Sequence, residues 1–136
     1  MKKLSRVVKF RGENCDGSWV TGDLQQLQTK KFRTIIWNNV DHISYVVDPA
    51  TVGQFTGLLD KNNEEIYEGH ILKLGEINDN KDFVGKIGKV LFNNDNGSFV
   101  VEWKWSKNQH DVQLTCDVAC DSVIVGNFCE NPKMLG

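Results

Sequence analysis

The stretch that decides the fold is Lys86-Ile-Gly-Lys-Val-Leu-Phe-Asn-Asn-Asp-Asn-Gly-Ser-Phe-Val-Val-Glu-Trp-Lys-Trp105. Two runs rich in β-branched and aromatic residues flank a polar turn at 93–97, whose Asn and Gly residues accept the positive φ of tight turns. In the second run the large apolar residues recur at every second position, which places them on one face of a strand. The pattern predicts a β-hairpin with strands at 86–92 and 98–105.

Shorter runs of the same kind occur along the rest of the chain, separated by turn residues. Asp16-Gly17 predicts a tight turn after the first run, and Gly69 predicts a break in the sixth. Residues 106–121 fit either a short helix or a loop, and Asn131-Pro132 fits a helix start. The fold class is therefore mainly β with few short helices, and further strands are predicted at 7–11, 19–21, 32–37, 43–47, 51–55, 65–74 and 122–128.

The charge balance does not direct the chain to a polyanion. Its 136 residues carry 16 basic and 18 acidic side chains, a net charge of −2, so the total gives no pull toward nucleic acid or membrane. The distribution is uneven, because residues 1–11 hold five basic side chains and no acid, and residues 111–130 hold four acids and no Lys or Arg. Either the two ends are solvated faces, or they attract each other or a neighbouring subunit.

The sequence favours a cytoplasmic protein without a membrane partner. Arg6, Lys9 and Arg11 interrupt any apolar signal region, and no run approaches the ~18 apolar residues of a membrane span. Without an export signal, the cysteines are expected to be reduced and mostly buried. The chain has four of them: Cys15, Cys116, Cys120 and Cys129.

Two further stretches are Gln54-Phe-Thr-Gly-Leu-Leu-Asp-Lys-Asn-Asn-Glu-Glu-Ile-Tyr-Glu-Gly-His-Ile71 and Ile124-Val-Gly-Asn-Phe-Cys-Glu-Asn-Pro132, the latter running on to Leu135. Both resemble the signature of the YopX family. The start, Val8-Lys-Phe-Arg-Gly12 with Trp19-Val-Thr-Gly-Asp23, resembles that family's opening, so the resemblance covers nearly the whole chain. Three positions depart from the pattern. His70 stands where the family favours Asp, Asn63 replaces a turn Gly, and Cys129 replaces an aromatic residue.

The resemblance implies a β-rich fold with a small SH3-like barrel and additional β-hairpins. On this reading residues 1–136 form one YopX-like β domain, with a finer division into an N-terminal lobe at 1–55 and a barrel region at 56–136. It also implies an origin in phages, prophages or related mobile elements of bacteria. It brings no established catalytic residues, and we expect its motif residues to be structural: Gly57, Asp60, Glu68, Gly69, Gly126, Asn127 and Pro132.

No pattern in the sequence predicts a catalytic, cofactor-binding or metal site. Cys116-x3-Cys120 is one loose pair, whereas structural zinc sites usually have two. Asp60-Lys-Asn-Asn-Glu64 lacks the sixth-position Gly and the twelfth-position Glu of a calcium loop. Nucleophile elbows and phosphate-binding loops are absent from the sequence. We therefore predict that the protein is not an enzyme.

The strongest functional signal in the sequence is a cluster of basic side chains on the hairpin at 86–105. Small β-barrels bind single strands by combining basic grooves with exposed aromatic residues. Trp103 shares a strand face with Phe99 and Val101, so we expect it to be buried. The candidate nucleic-acid surface consists of Lys86, Lys89, Lys104, Lys107 and Trp105.

Three hypotheses follow for the function. The leading one is a non-enzymatic interaction or assembly module of mobile-element origin that contacts protein, itself included, because the chain combines open-edged β structure with no catalytic motif. The first alternative is a small β-barrel that binds nucleic acid through the basic hairpin. An enzyme with an unrecognised site ranks last.

Overall fold

The computed structural model describes residues 6–27, 33–77, 79–105 and 108–135. The chain divides into two compact units, residues 1–57 and 58–136. The architecture is mainly β, as predicted, with two antiparallel sheets and one short α-helix among the described residues.

The first unit is an antiparallel sheet. Its strands, together with the one that follows, are β1 (Phe10–Glu13), β2 (Trp19–Leu27), β3 (Arg33–Asn38), β4 (Ile43–Val46), β5 (Gly53–Leu59) and β6 (Glu65–Tyr67). The strand order in the sheet is β4-β3-β2-β1-β5, and a 3₁₀ turn at Pro49–Thr51 lies between β4 and β5 along the chain. The strand β5 continues across residue 57 into the second unit, where β6 comes next in the sheet order.

The turn between β1 and β2 is the one that Asp16-Gly17 predicts. The amide of Gly17 donates to the carbonyl of Asn14 at 3.0 Å, and Gly17 has φ 79°. The Asn14 side chain also accepts from the amides of Asp16 and Ser18. Local polar chemistry alone therefore fixes this connection.

Gly22 marks the point at which β2 changes partner. Gly22 is the last residue of β2 paired with β1, opposite Phe10, and the next residue, Asp23, pairs with Trp37 of β3. A Cβ atom at Gly22 would lie 1.8 Å from the Trp37 carbonyl oxygen. Only glycine allows this close passage, because any other side chain would overlap the backbone of β3.

The second unit contains a five-stranded antiparallel sheet and a short helix. The elements are β7 (His70–Lys73), β8 (Ile87–Asn93), β9 (Ser98–Trp105), β10 (Asn108–Gln113), α1 (Cys116–Cys120) and β11 (Val123–Asn127). The strand order in the sheet is β10-β9-β8-β7-β11. Two 3₁₀ turns accompany it, at Lys81–Phe83 and Pro132–Leu135.

The hairpin that opens the sequence analysis is confirmed as β8 and β9. Val90 pairs with Val101 and Phe92 pairs with Phe99, so the predicted apolar alternation lies on one face. Val101 is fully buried and Trp103 is 7% exposed, both in the core of the second unit. Trp103 is therefore buried, as expected.

Several predicted segments differ from the structure; the second strand, for example, runs to Leu27 and not to residue 21. The first strand begins at Phe10 and not at residue 7. The run at 51–55 begins as a 3₁₀ turn, because the Asp48 side chain caps it by accepting from the Ala50 amide. The ambiguous region 106–121 contains both β10 and α1, the latter with Thr115 as its N-cap.

The SH3-like barrel is not confirmed. Both sheets are open, and no closed barrel forms among the described residues. No described helix has the length and apolarity that a membrane crossing requires.

Candidate interaction surfaces

Asp60 joins the two stretches that carry the family resemblance. Its carboxylate is 4% exposed and accepts hydrogen bonds from the amides of Asn62 at 2.8 Å and Glu64 at 2.9 Å. Its second oxygen accepts from the amide of Ile124, 64 residues along the chain, at 3.0 Å. Backbone donors thus surround both oxygens, which supports the structural role expected of Asp60.

Gly69 makes a second connection between the same stretches. It lies in the turn between β6 and β7 with φ 94°. Its amide donates to the carbonyl of Val90, and its carbonyl accepts from the amide of Phe128, both at 2.8 Å. The predicted break in the run at 65–74 is confirmed, and half-buried Glu68 precedes it in the turn. Gly57, in β5, also has positive φ, at 85°.

His70 has a structural partner that the sequence did not reveal. Its side chain is 7% exposed, and Nδ1 accepts a hydrogen bond from the amide of Tyr67 at 2.9 Å. The residue that stands where the resemblance favours aspartate therefore closes this turn as a side-chain acceptor.

The second stretch is held by its own polar residues. The Asn127 side chain accepts from the Glu130 amide at 2.9 Å, and its carbonyl accepts from the Asn131 amide at 2.8 Å. A Cβ atom at Gly126 would lie 2.7 Å from Oδ1 of Asn131. Pro132 then begins the last 3₁₀ turn. These contacts support local structural roles for Gly126, Asn127 and Pro132.

The basic hairpin retains only part of its predicted constellation. Lys89 and Lys104 line one cavity of about 270 Å³, while Lys86 precedes β8. Trp103 turns into the core, where it stacks on His110 and meets Phe83 edge-on. Lys107 and the side chain of Trp105 lie outside the described residues. The other residues lining the cavity include Glu102, Gln109 and Phe128.

Two features of that cavity weaken it as a binding site for single-stranded nucleic acid. The Lys89 ammonium lies 3.6 Å from the centroid of the Phe128 ring, so the aromatic face is already occupied by a cation. Glu102 adds a carboxylate and hydrogen-bonds the Gln109 side chain. Base stacking on Phe128 would require the lysine to move.

The expectation of mostly buried cysteines is wrong. Cys15, Cys116, Cys120 and Cys129 are all exposed, and none of the four forms a disulfide. The reason on α1 is geometric: Val118 and Ala119 occupy the buried side of this five-residue helix, so the cysteines at its two ends share the outer side. Within the described residues no three His, Cys, Asp or Glu side chains group as a metal site.

The strand β4 ends the first sheet without a neighbour on its outer side among the described residues. Hydrogen-bonded pairs alternate along an antiparallel ladder. Val47 donates to the carbonyl of Thr34 at 3.0 Å, so Tyr45 faces β3 in the same way. The backbone groups of Ser44 and the amide of Val46 therefore point away from the sheet.

Apolar side chains accompany this open edge. Ile43 is 48% exposed and Val46 is 53% exposed, and the alternation of a strand places them on opposite faces. The strand carries no charged residue. By contrast β10, the edge of the other sheet, is polar except for Val112. The β4 edge thus lacks the charges that usually protect sheet edges.

An acidic concavity of about 340 Å³ adjoins the end of the β4 edge. A bridge between Asn14 and Val47 closes the edge beyond Val46. Glu13 and Asp48 contribute two carboxylates, and no Lys or Arg occurs among the described residues of the lining. The sequence predicts the strand itself but gives no signal that it lies at an edge, because that depends on which strands pair.

Comparison with known proteins supports the fold and extends the resemblance. The crystal structure of protein EF1440 from Enterococcus faecalis has a TM-score of 0.54 and 19% identity, with 97% of this chain and 100% of that chain covered. At this identity the likeness concerns the fold alone. No curated protein sequence matches the chain. The model of the family described as YopX protein matches residues 9–136, and the chain accordingly belongs to the YopX family.

Proposed function

We propose that this chain is a non-enzymatic interaction module that binds another polypeptide by strand addition at β4. The observation that carries the proposal is the outward backbone of Ser44 and Val46. In strand addition, main-chain hydrogen bonds give affinity and pockets for alternate side chains give specificity. The β4 edge has both, with the concavity at Glu13 and Asp48 as the pocket.

The arrangement of the first unit supports this function. The order β4-β3-β2-β1-β5, with a 3₁₀ turn before the last strand, favours an SH3-like arrangement in residues 1–57 and not in 56–136. SH3 domains bind extended peptides in grooves between their loops, so the arrangement supports peptide binding in general, and the open β4 edge carries the strand-addition mode. The proposal includes the predicted mobile-element origin and cytoplasmic location, which determine the cells in which a partner is sought.

Affinity capture from bacterial cells with an induced prophage tests the proposal. The bait is the wild-type chain or its Ser44→Pro variant, which removes one outward amide and no bond to β3. Asp111→Pro is the matched control, because the Asp111 amide also points outward, on the edge of β10. We expect Ser44→Pro to lose the captured protein and Asp111→Pro to retain it.

Two results would contradict strand addition at β4. One is a protein captured equally by the wild-type chain and by Ser44→Pro. The other is a loss of capture with Asp111→Pro alone, which would move the interface to β10. Circular dichroism of each bait shows that the sheets have formed, so that a folding failure is not counted as a binding failure.

Nucleic-acid binding remains the alternative, supported by the shared cavity of Lys89 and Lys104. Fluorescence anisotropy with a labelled single-stranded DNA oligonucleotide tests it. If the cavity binds the phosphate backbone, the Lys89→Glu and Lys104→Glu variants weaken binding, and affinity falls steeply with salt. Equal binding by wild-type and variant chains would exclude this cavity.

A further inference from the structure

We infer that the occupant of the β4 edge is the segment at residues 6–9 of a second copy of this chain. This inference rests on the proposed function and names its partner. Val7 and Val8 are 62% and 44% exposed, and residues 6–9 belong to no strand. Lys9 is tied to the sheet, because its carbonyl accepts from the Phe55 amide at 2.8 Å. The segment therefore presents two exposed apolar side chains beside the exposed Arg6, outside any strand of its own sheet.

The segment is placed to serve another copy and not its own. The strand β1 leads from Phe10 to Glu13, and the concavity lies at the Glu13 end. Val8 precedes Glu13 by five residues, a span of about 16 Å in extended chain. The segment thus leaves the sheet at the end of β1 opposite to the acceptor site.

The charges of donor and acceptor are complementary. Residues 1–11 carry five basic side chains and no acid. Glu13 and Asp48 give the concavity its acidic lining, and between residues 38 and 48 the sequence has two Asp and no Lys or Arg. Such complementarity selects partner and register more than it adds affinity.

The apolar side chains match in the same way. In an added strand, Val7 and Val8 point to opposite faces. Ile43 and Val46 also lie on opposite faces of β4 and are about half exposed. Each face of the extended sheet therefore gains one apolar contact while Arg6 lies toward the acidic end. Strand addition removes these four side chains from water together.

The predicted contact joins different surfaces of the two copies. Because the donor and the acceptor are not the same patch, the copies either exchange segments reciprocally in a dimer or continue head to tail. In both cases the molar mass rises with concentration above that of the 15.4 kDa monomer.

Sedimentation of the full-length chain at low and physiological salt tests the inference. The variants are Arg6→Glu, Glu13→Lys and the double charge swap, with Glu76→Lys as a control for a charge change at an exposed site elsewhere. We expect the wild-type chain to associate and each single variant to raise the dissociation constant about fivefold, the scale of a partly exposed ion pair that becomes repulsive. The double swap should restore association.

A wild-type chain that remains monomeric at millimolar concentration would overturn the inference, as would a double swap no better than the single variants. Arg6→Glu alters an exposed side chain outside every strand, so its effect does not depend on folding. If the chain is monomeric and Ser44→Pro still abolishes capture of a different protein, strand addition stands and only the identity of the partner is wrong.

Discussion

The backbone amide of Tyr67 donates to Nδ1 of His70 at 2.9 Å, within a turn whose histidine is 7% exposed. Nδ1 must be unprotonated to accept this bond, which assigns the ring proton of the neutral imidazole to Nε2. The histidine that stands where the family favours aspartate therefore has a defined structural role in this chain.

Two replacements of His70 should separate the contribution of its hydrogen-bond acceptor to stability from the contribution of its ring packing. His70→Phe leaves the Tyr67 amide without its partner in a buried turn and should cost about 1–3 kcal/mol. His70→Asp restores an acceptor and should cost less. Urea unfolding of the two variants compares them, and an aspartate variant less stable than the phenylalanine variant would show that ring packing outweighs the hydrogen bond.

Asp60 should show a graded loss, because its two oxygens have different partners. Asp60→Asn keeps an oxygen for Asn62 and Glu64 but presents an amide to the Ile124 N–H, while Asp60→Ala removes all three acceptor contacts. We expect a loss of about 1–3 kcal/mol for the first and more than about 3 kcal/mol for the second. Asp95→Ala, at an exposed turn, is the matched control in the same urea titration.

A contradictory outcome for Asp60 is equal stability of the alanine variant and the control. That result would mean that water replaces the carboxylate at no cost, and that the connection between the two signature stretches does not depend on it. Hydrogen exchange at the Ile124 amide gives an independent reading, since exchange should accelerate in both Asp60 variants if the bond protects it.

Trp103 should be the largest single aromatic contribution to the core of the second unit. Trp103→Ala should cost about 3–5 kcal/mol, the usual range for truncating a buried aromatic residue. Phe92, 38% exposed on the same face of the hairpin, provides the comparison, and Phe92→Ala should cost clearly less. Equal losses by thermal unfolding would mean that the exposed part of the hairpin carries the stability.

The hydrogen bond of Tyr45, in β4, should make a small part of the chain's stability depend on pH. Its hydroxyl donates to Asp41 at 2.6 Å, and this hydrogen bond, followed by desolvation and the carboxylate charge, raises the pKa of Tyr45 above its ordinary 10.0. A raised pKa in the folded chain means that the contribution is fully present below the unfolded pKa and is lost as pH rises through the folded value. The effect is therefore confined to strongly alkaline pH.

Asp41→Asn should lower the pKa of Tyr45, because it weakens the hydrogen bond that holds the phenol and also removes the charge that opposes phenolate formation. Ultraviolet titration in a Tyr67→Phe background isolates Tyr45, since the chain has two tyrosines. An unchanged midpoint in the Asp41→Asn variant would show that the hydroxyl is not held by that carboxylate in solution.

Sequence reasoning predicted the local parts of this structure and missed the parts that depend on distant partners. The turns at Gly17 and Gly69 follow from residues that accept positive φ, and both are found. The bond from Ile124 to Asp60 spans 64 residues, so periodicity contains no trace of it. The open edge of β4 was missed for the same reason, since the order of strands is a property of the whole sheet.

The prediction that the cysteines are mostly buried failed for a related reason. The expectation came from the average behaviour of free thiols, whereas exposure here is decided by which side of a short helix or turn meets the core. Once Val118 and Ala119 pack inward, Cys116 and Cys120 have no inward position left.

The requirement for glycine at position 22 can be checked in relatives of this chain. Because a Cβ atom there would lie 1.8 Å from the Trp37 carbonyl, drift at this codon is restricted to silent changes for as long as β2 crosses from one neighbour to the other. A relative with another residue at the equivalent position must either straighten this strand or move the third strand aside. In an alignment of relatives, the residue at this position therefore distinguishes chains in which β2 changes partner in this way from chains in which it does not.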